Sequence, residues 1–137
     1  MHYLSSPEMP CLTYENYFVA RAEVGIVGFC GYKILSSTEA KTELMVVDNK
    51  HRDHGIGHKL QTYRMEDMLK RGITMLTTNT DIQATIEWYK KHFGYKEVGR
   101  LKKLHEFGDP NIDHWTTLRV DLHKWGADRI QKKEGNT

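Results

Sequence analysis

The chain is poor in cysteine, in proline, in charge of one sign and in long apolar runs. Its two cysteines, Cys11 and Cys30, are too few for a disulfide framework. They suit a reducing compartment, and their spacing gives no metal pattern. The longest uncharged apolar stretch, Val24 to Tyr32, falls far short of the roughly 20 residues a membrane span needs. No charged-then-apolar leader opens the sequence, so the expected compartment is the cytoplasm and no membrane partner is expected. Twenty basic residues against eighteen acidic ones give +2, too balanced to argue for nucleic acid. What remains is an ordinary soluble mixture, 39% hydrophobic and 28% charged, with mean hydropathy −0.64. That excludes collagen and a disordered chain. A length of 137 residues predicts one domain over 1–137, large enough to bury a core without metals or disulfides.

Along the chain, residues 1–16 are expected to be irregular, because Pro7 and Pro10 discourage regular structure. Tyr17 to Ala22, Ile26 to Leu35 and Ala40 to Val47 are β-rich and separated by turn residues. They predict an antiparallel meander. In the third run Glu43, Met45 and Val47 share one face, and Leu44 and Val46 the other. The period then changes. Ile56, Leu60, Tyr63 and Met68 fall near helical spacing, closed by Lys70-Arg71-Gly72. Ile73 to Thr78 is a short strand. Asp81 is placed to cap a helix whose apolar stripe is Ile82, Ile86, Tyr89 and Phe93, with Gly94 as its stop. Tyr95 to Leu104 and Trp115 to Leu122 predict two strands around the turn Gly108-Asp109-Pro110-Asn111. From His123 to residue 137 the chain reads as a basic tail, a short helix or a frayed end. The order implies a mixed sheet with packed helices, an α/β or α+β class, with its core over 17–122.

The most informative stretch runs from Val47 to Gly57. A strand ends, a polar Gly-containing loop follows, and a helix begins. Such a loop turns successive backbone N–H groups into one concavity, and the helix N-terminus adds about half a positive charge. Lys50 and Arg52 bring mobile positive charge. The expected ligand is a pyrophosphate. A plain turn is the competing reading of two glycines beside a helix. No Gly-Lys-Ser/Thr follows, so this is not a Walker loop. Only one G-x-G is present, so it is not a dinucleotide fingerprint either.

Arg52-x-x-Gly55-x-Gly57, following Val47 at a strand end, resembles the acetyl-CoA pyrophosphate loop of the GCN5-related N-acetyltransferase (GNAT) superfamily. Ala84 to Tyr95, a helix bearing Tyr89 followed by Gly94 and Tyr95, is similar to the same family's later motif. The two lie in the family's order, and the resemblance covers about residues 17–122. It implies a mixed, mostly antiparallel sheet splayed at the cofactor cleft, with helices on both faces and a shortened N-terminal region. Acetyl-CoA is the implied co-substrate. Met45, Val46 and Val47 would line the acetyl and pantetheine end, and Arg52, Asp53, His54, Gly55, Ile56 and Gly57 would hold the pyrophosphate.

Acetyl transfer to an amine needs a neutral amine, stabilisation of the developing oxygen charge, and a proton for the departing thiolate. The resemblance implies Tyr89 as the acid and Glu43 as the base. Tyr89 reads equally as a core stripe residue, and Glu43 as a surface carboxylate. Gly94 lies five positions after Tyr89, one more than in the family's commoner pattern, so Trp88 competes for the site-facing direction. Water-relayed deprotonation competes with Glu43. His54 and His58 lack the H-E-x-x-H glutamate, and no metal is expected. His105 and His114 flank the late turn, where a hairpin borders the family's acceptor site. Sixteen residues precede Tyr17 where the family normally has about a strand and two helices, so the pocket is open, or closed by a second copy, or walled by residues 1–16 and the late hairpin. The sheet edge and pocket wall left uncovered lead to the expectation of a homodimer. The expected activity is acetyl transfer from acetyl-CoA to the primary amine of a small molecule. A non-catalytic acyl-CoA-binding domain and a protein or peptide N-acetyltransferase are the alternatives.

Overall fold

β-branched and aromatic residues dominate Tyr17–Ala22, which forms β1, and Gly25–Ile34 forms β2. Glu39–Val47 is β3, and the three strands pair antiparallel as a meander. A single 3-10 turn, Asn49–His51, leads towards α1, Ile56–Lys70. Met75–Thr80 is β4, Gln83–Phe93 is α2, Lys96–Lys102 is β5 and His114–Asp121 is β6. Leu122–Gly135 forms α3. The computed structural model describes residues 16–23, 25–51, 55–104 and 108–135, with side chains as far as residue 131. The expectation of an irregular segment over 1–16 therefore falls almost wholly outside the described residues.

The six strands make one sheet in the order β1-β2-β3-β4-β6-β5. Every pairing is antiparallel except β3 with β4, which is parallel. That one parallel pair follows from the connection: α1 carries the chain back so that β4 runs alongside β3. The mixed, mostly antiparallel sheet matches the sequence expectation.

The core joins Tyr32 and Leu118 of the sheet to Met65 and Met68 of α1 and to Ile86 and Phe93 of α2. Apolar side chains recurring three or four apart explain α2, and Gly94 stops it in the left-handed conformation (φ +71°). Three details differ from the sequence reading. Tyr63 is 63% exposed, and the buried face of α1 instead contains Gln61 and Arg64 beside Leu60, Met65 and Met68. Asp81 does not cap α2. The cap position is Ile82, without a side-chain bond, and Asp81 is committed elsewhere. The tail is a packed helix: Leu122 and Trp125 are buried, the Arg129 guanidinium lies over the Trp125 ring at 4.6 Å, and it pairs with Glu66 at 2.7 Å. Those contacts overcome the polar composition that made the tail look solvated.

Candidate active site

β3 and β4 stay together for only three rungs, Glu39–Met75, Ala40–Leu76 and Lys41–Thr77. The hydroxyl of Thr42 then donates to that of Thr78, and beyond this pair the strands part. From Glu43 to Val47, β3 pairs with β2 on one side while its other edge faces the gap. Backbone N–H and C=O groups along such an edge require partners, and an extended amide-bearing ligand supplies them. The gap opens into a cleft of about 1160 Å³.

A bulge in the β2–β3 pairing lies where β3 and β4 part. Cys30 pairs with Met45 and Tyr32 with Thr42, so Glu43 and Leu44 together oppose Gly31. Strict alternation therefore fails here, and Leu44 borders the cleft with Glu43 and Met45 although simple alternation put it on the other face. Val47 borders the cleft too. Val46 does not. Its side chain is 44% exposed, and its place on the open edge is one of backbone only.

At the start of α1, Gly55 holds φ +78° as the residue before the first turn, and Gly55, Ile56 and Gly57 border the cleft. The need for glycine is unequal between the two positions. A side chain at Gly55 would meet open space but would have to adopt the left-handed conformation. A methyl at Gly57 would touch only the Met45 sulfur, at an ordinary 3.6 Å. The first turn of α1 presents N–H groups that no bond within the helix can satisfy, together with the positive end of the helix dipole, which suits a phosphate. Arg52, Asp53 and His54 lie outside the described residues, as does His105.

Tyr89 and Trp88 both border the cleft, so the competition between them ends with both at the site. Their rings meet edge-on at 5.1 Å. Tyr89 is 6% exposed, and its hydroxyl accepts a hydrogen bond of 3.1 Å from Nη2 of Arg64. Glu43 faces the same cleft. Its Oε2 accepts a 2.6 Å hydrogen bond from Tyr17, whose ring lies directly over Gly31, where a Cβ would stand 2.6 Å from ring atoms. Burial first, and the Glu43 carboxylate second, push the Tyr17 hydroxyl well above its ordinary pKa. It is a donor over the whole working range.

Behind the cleft runs a buried polar chain that the hydrophobic pattern gave no reason to expect. Gln61 Nε2 donates to the Tyr95 hydroxyl at 2.8 Å, and Arg64 Nε donates to Gln61 Oε1 at 2.6 Å. Burial raises the Tyr95 and Cys30 groups beside it. At the far rim, Lys103 Nζ lies 2.9 Å from Asp81 Oδ2, and the Asp109 N–H reaches the same oxygen at 2.7 Å. Burial alone would raise the Asp81 carboxyl. The two hydrogen bonds and the Lys103 charge outweigh it and leave the carboxyl below its usual range. This cluster anchors the β5–β6 connection beside Trp115, which lines the cleft under the Lys103 ammonium at 4.6 Å. His114 starts β6 and bonds Asp113. Among the described residues no group of three His, Cys, Asp or Glu side chains could hold a metal, and no helix is long and apolar enough to cross a membrane.

An acetyltransferase (GNAT) domain model matches residues 13–97, which is most of the chain and includes both motifs. The chain belongs to the GNAT acetyltransferase family, a class of N-acetyltransferase enzymes. Among solved structures it is similar to Ard1 from Thermoplasma volcanium, at 21% identity and TM-score 0.69 over 78% of this chain and 70% of that one. It is similar to the ribosomal-protein-S18-alanine N-acetyltransferase of Escherichia coli, at 18% identity and TM-score 0.67 over 79% and 70%. An aminoglycoside 6'-N-acetyltransferase complexed with coenzyme A matches at 19% identity and TM-score 0.67 over 77% and 72%. At these identities the likeness is one of fold. A comparison with curated proteins finds no match.

Proposed function

We propose that this chain moves an acetyl group from acetyl-CoA to the primary amine of a small molecule, by direct transfer with both substrates bound. The observation that carries the reading is one opening in the sheet, bordered by both Tyr89 and Glu43. In this reading acetyl-CoA supplies an acetyl thioester already activated for attack. The open edge at Met45, Val46 and Val47 takes the pantetheine amides. Gly55, Ile56 and Gly57 hold the pyrophosphate at the helix start, together with Arg52, Asp53 and His54. Each of these needs is met by backbone groups, which explains why one strand edge and one turn suffice.

Glu43 attracts the ammonium form of the acceptor and takes its proton, directly or through water, so that nitrogen can attack. The Tyr17 hydroxyl fixes that carboxylate through one of its two oxygens. Tyr89 gives its proton to the sulfur as the carbon–sulfur bond breaks. Nothing in the chemistry calls for a covalent enzyme intermediate or a metal.

Thiol release from acetyl-CoA, measured across a panel of small primary amines, tests the proposal. Stimulation by one amine class is the expected result. Stimulation by peptide N-termini alone would move the acceptor to proteins. Binding of acetyl-CoA without release for any acceptor would make this a non-catalytic acyl-CoA-binding domain. We also propose a cytoplasmic homodimer. The edge strand β5 is exposed along its length and leaves Val98 and Leu101 half exposed, a surface that pairing would cover. Sedimentation that gives a monomer at micromolar concentration overturns that part.

A further inference from the structure

Arg64 is completely buried, and among the described residues no carboxylate pairs with it. A buried guanidinium is costly to desolvate, and an apolar residue packed in its place is often no less stable. Each of its three nitrogens nonetheless donates to a named acceptor. Nη1 reaches the carbonyls of Gly31 at 3.1 Å, Glu43 at 3.4 Å and Leu44 at 3.5 Å. These are the three residues of the bulge beside the cleft. Nη2 reaches the Tyr89 hydroxyl, and Nε is held by Gln61, itself fixed by Tyr95. One side chain thus ties the backbone of the Glu43 segment to the phenol of Tyr89.

Resting on the acetyl-CoA reading above, we propose that Arg64 is a positioning residue for the transfer, holding the bulge of β3 open and presenting Tyr89 as an oriented, charge-supported proton donor to the sulfur. Arginine donates and cannot accept, so the Tyr89 oxygen must be the acceptor in their bond. That bond occupies a lone pair of the phenol and leaves its proton to be given elsewhere, and Tyr89 borders the cleft. During transfer the amine loses one proton and forms the amide bond. The carbon–sulfur bond breaks with its electron pair on sulfur, and sulfur takes the Tyr89 proton. The phenol oxygen left behind carries negative charge 3.1 Å from a fully buried guanidinium, where such attraction is stronger than in water. The proton released by the amine restores the phenol through solvent. A purely structural arginine would satisfy the three carbonyls and need no phenol.

The test compares binding of CoA with that of desulfo-CoA by calorimetry at about pH 7 and about pH 9, spanning thiol ionisation. An oriented donor should make the parent prefer CoA over desulfo-CoA by about tenfold at the higher pH. Tyr89→Phe should abolish this preference. Arg64→Met should reduce the preference at least about fivefold, over and above any loss common to both ligands from the unanchored bulge, and Arg64→Lys should fall between parent and Arg64→Met. Neither Arg64 variant should lower the preference further in the Tyr89→Phe background. If Arg64→Met does not fold, Arg64→Lys measured with and without Tyr89→Phe gives the same comparison. Equal effects in both backgrounds, or an undiminished preference, overturn the proposal. A parent without the preference removes the Tyr89 donor and this inference with it. A parent that binds neither ligand overturns the acetyl-CoA reading itself.

Discussion

The Tyr17 hydroxyl on β1 donates to the Glu43 carboxylate on β3 at 2.6 Å, passing over the intervening strand at Gly31. Two strands apart, these residues meet only because the position between them has no side chain. Gly31→Ala should therefore act as a lesion of the site: the added methyl collides with the Tyr17 ring and displaces the hydroxyl. The expected result is a drop of about tenfold in kcat/KM for the amine, similar to Tyr17→Phe and not additive with it. Steady-state kinetics of the two single variants and the double variant check this.

Tyr89→Phe keeps the ring packed against Trp88 and Tyr95 and removes only the hydroxyl. The expected loss is about a hundredfold in kcat, with CoA affinity nearly unchanged. A kcat within about threefold of the parent, measured where chemistry limits the rate, would return Tyr89 to a packing role.

The two glycines at the start of α1 should respond differently. Gly55→Val forces a β-branched residue into the left-handed region, at a cost of about 1–2 kcal/mol, and turns the first amides away from the phosphate. CoA affinity should fall by about tenfold or more. Gly57→Ala meets only the Met45 sulfur at ordinary distance and should bind within about threefold of the parent. Calorimetry separates the two outcomes.

The Asp81–Lys103 pair predicts an acid-labile rim. Asp81 has a folded pKa below its ordinary value, so it binds its proton more readily when unfolded. Its contribution to stability is present above the unfolded carboxylate pKa of about 3.9, and is lost as pH falls through the folded value. Lys103→Met leaves a buried carboxylate without its counter-charge, held by the Asp109 N–H, and should cost about 3 kcal/mol at neutral pH. The same variant should flatten the stability profile below about pH 4, because the protonated Asp81 no longer has a charge to lose. Denaturant melts across pH measure both effects.

The order of strands and helices was legible because each apolar stretch keeps one period and ends in a recognisable stop, as α2 does at Gly94. The Gly55–Gly57 turn and Tyr89, which the structure brings to one cleft, were legible as motif residues. Gln61 and Arg64 were not, since a buried polar side chain looks the same in sequence as a solvated one, and Tyr63 seemed the better stripe residue. Leu44 was misplaced because a bulge shifts the two-residue period by one without leaving a mark on composition. Asp81 had the right chemistry for a cap, and its recruitment by Lys103 and Asp109 depends on a partner more than twenty residues away. Tyr17 offered no signal at all, because its meeting with Glu43 exists only in the sheet.

Three rungs and a threonine pair are all the direct strand pairing that joins the two leaves of the sheet. A molecule lying along the gap would complete the ladder and bind the leaves to each other, so occupancy and cohesion become one thermodynamic quantity. A ligand present at a hundred times its dissociation constant adds about 2.7 kcal/mol to the work of unfolding. That is a large share of the margin by which a domain of this size stays folded. Cleavage of the opened chain by proteases would then slow as such a ligand is supplied and quicken as it is withdrawn.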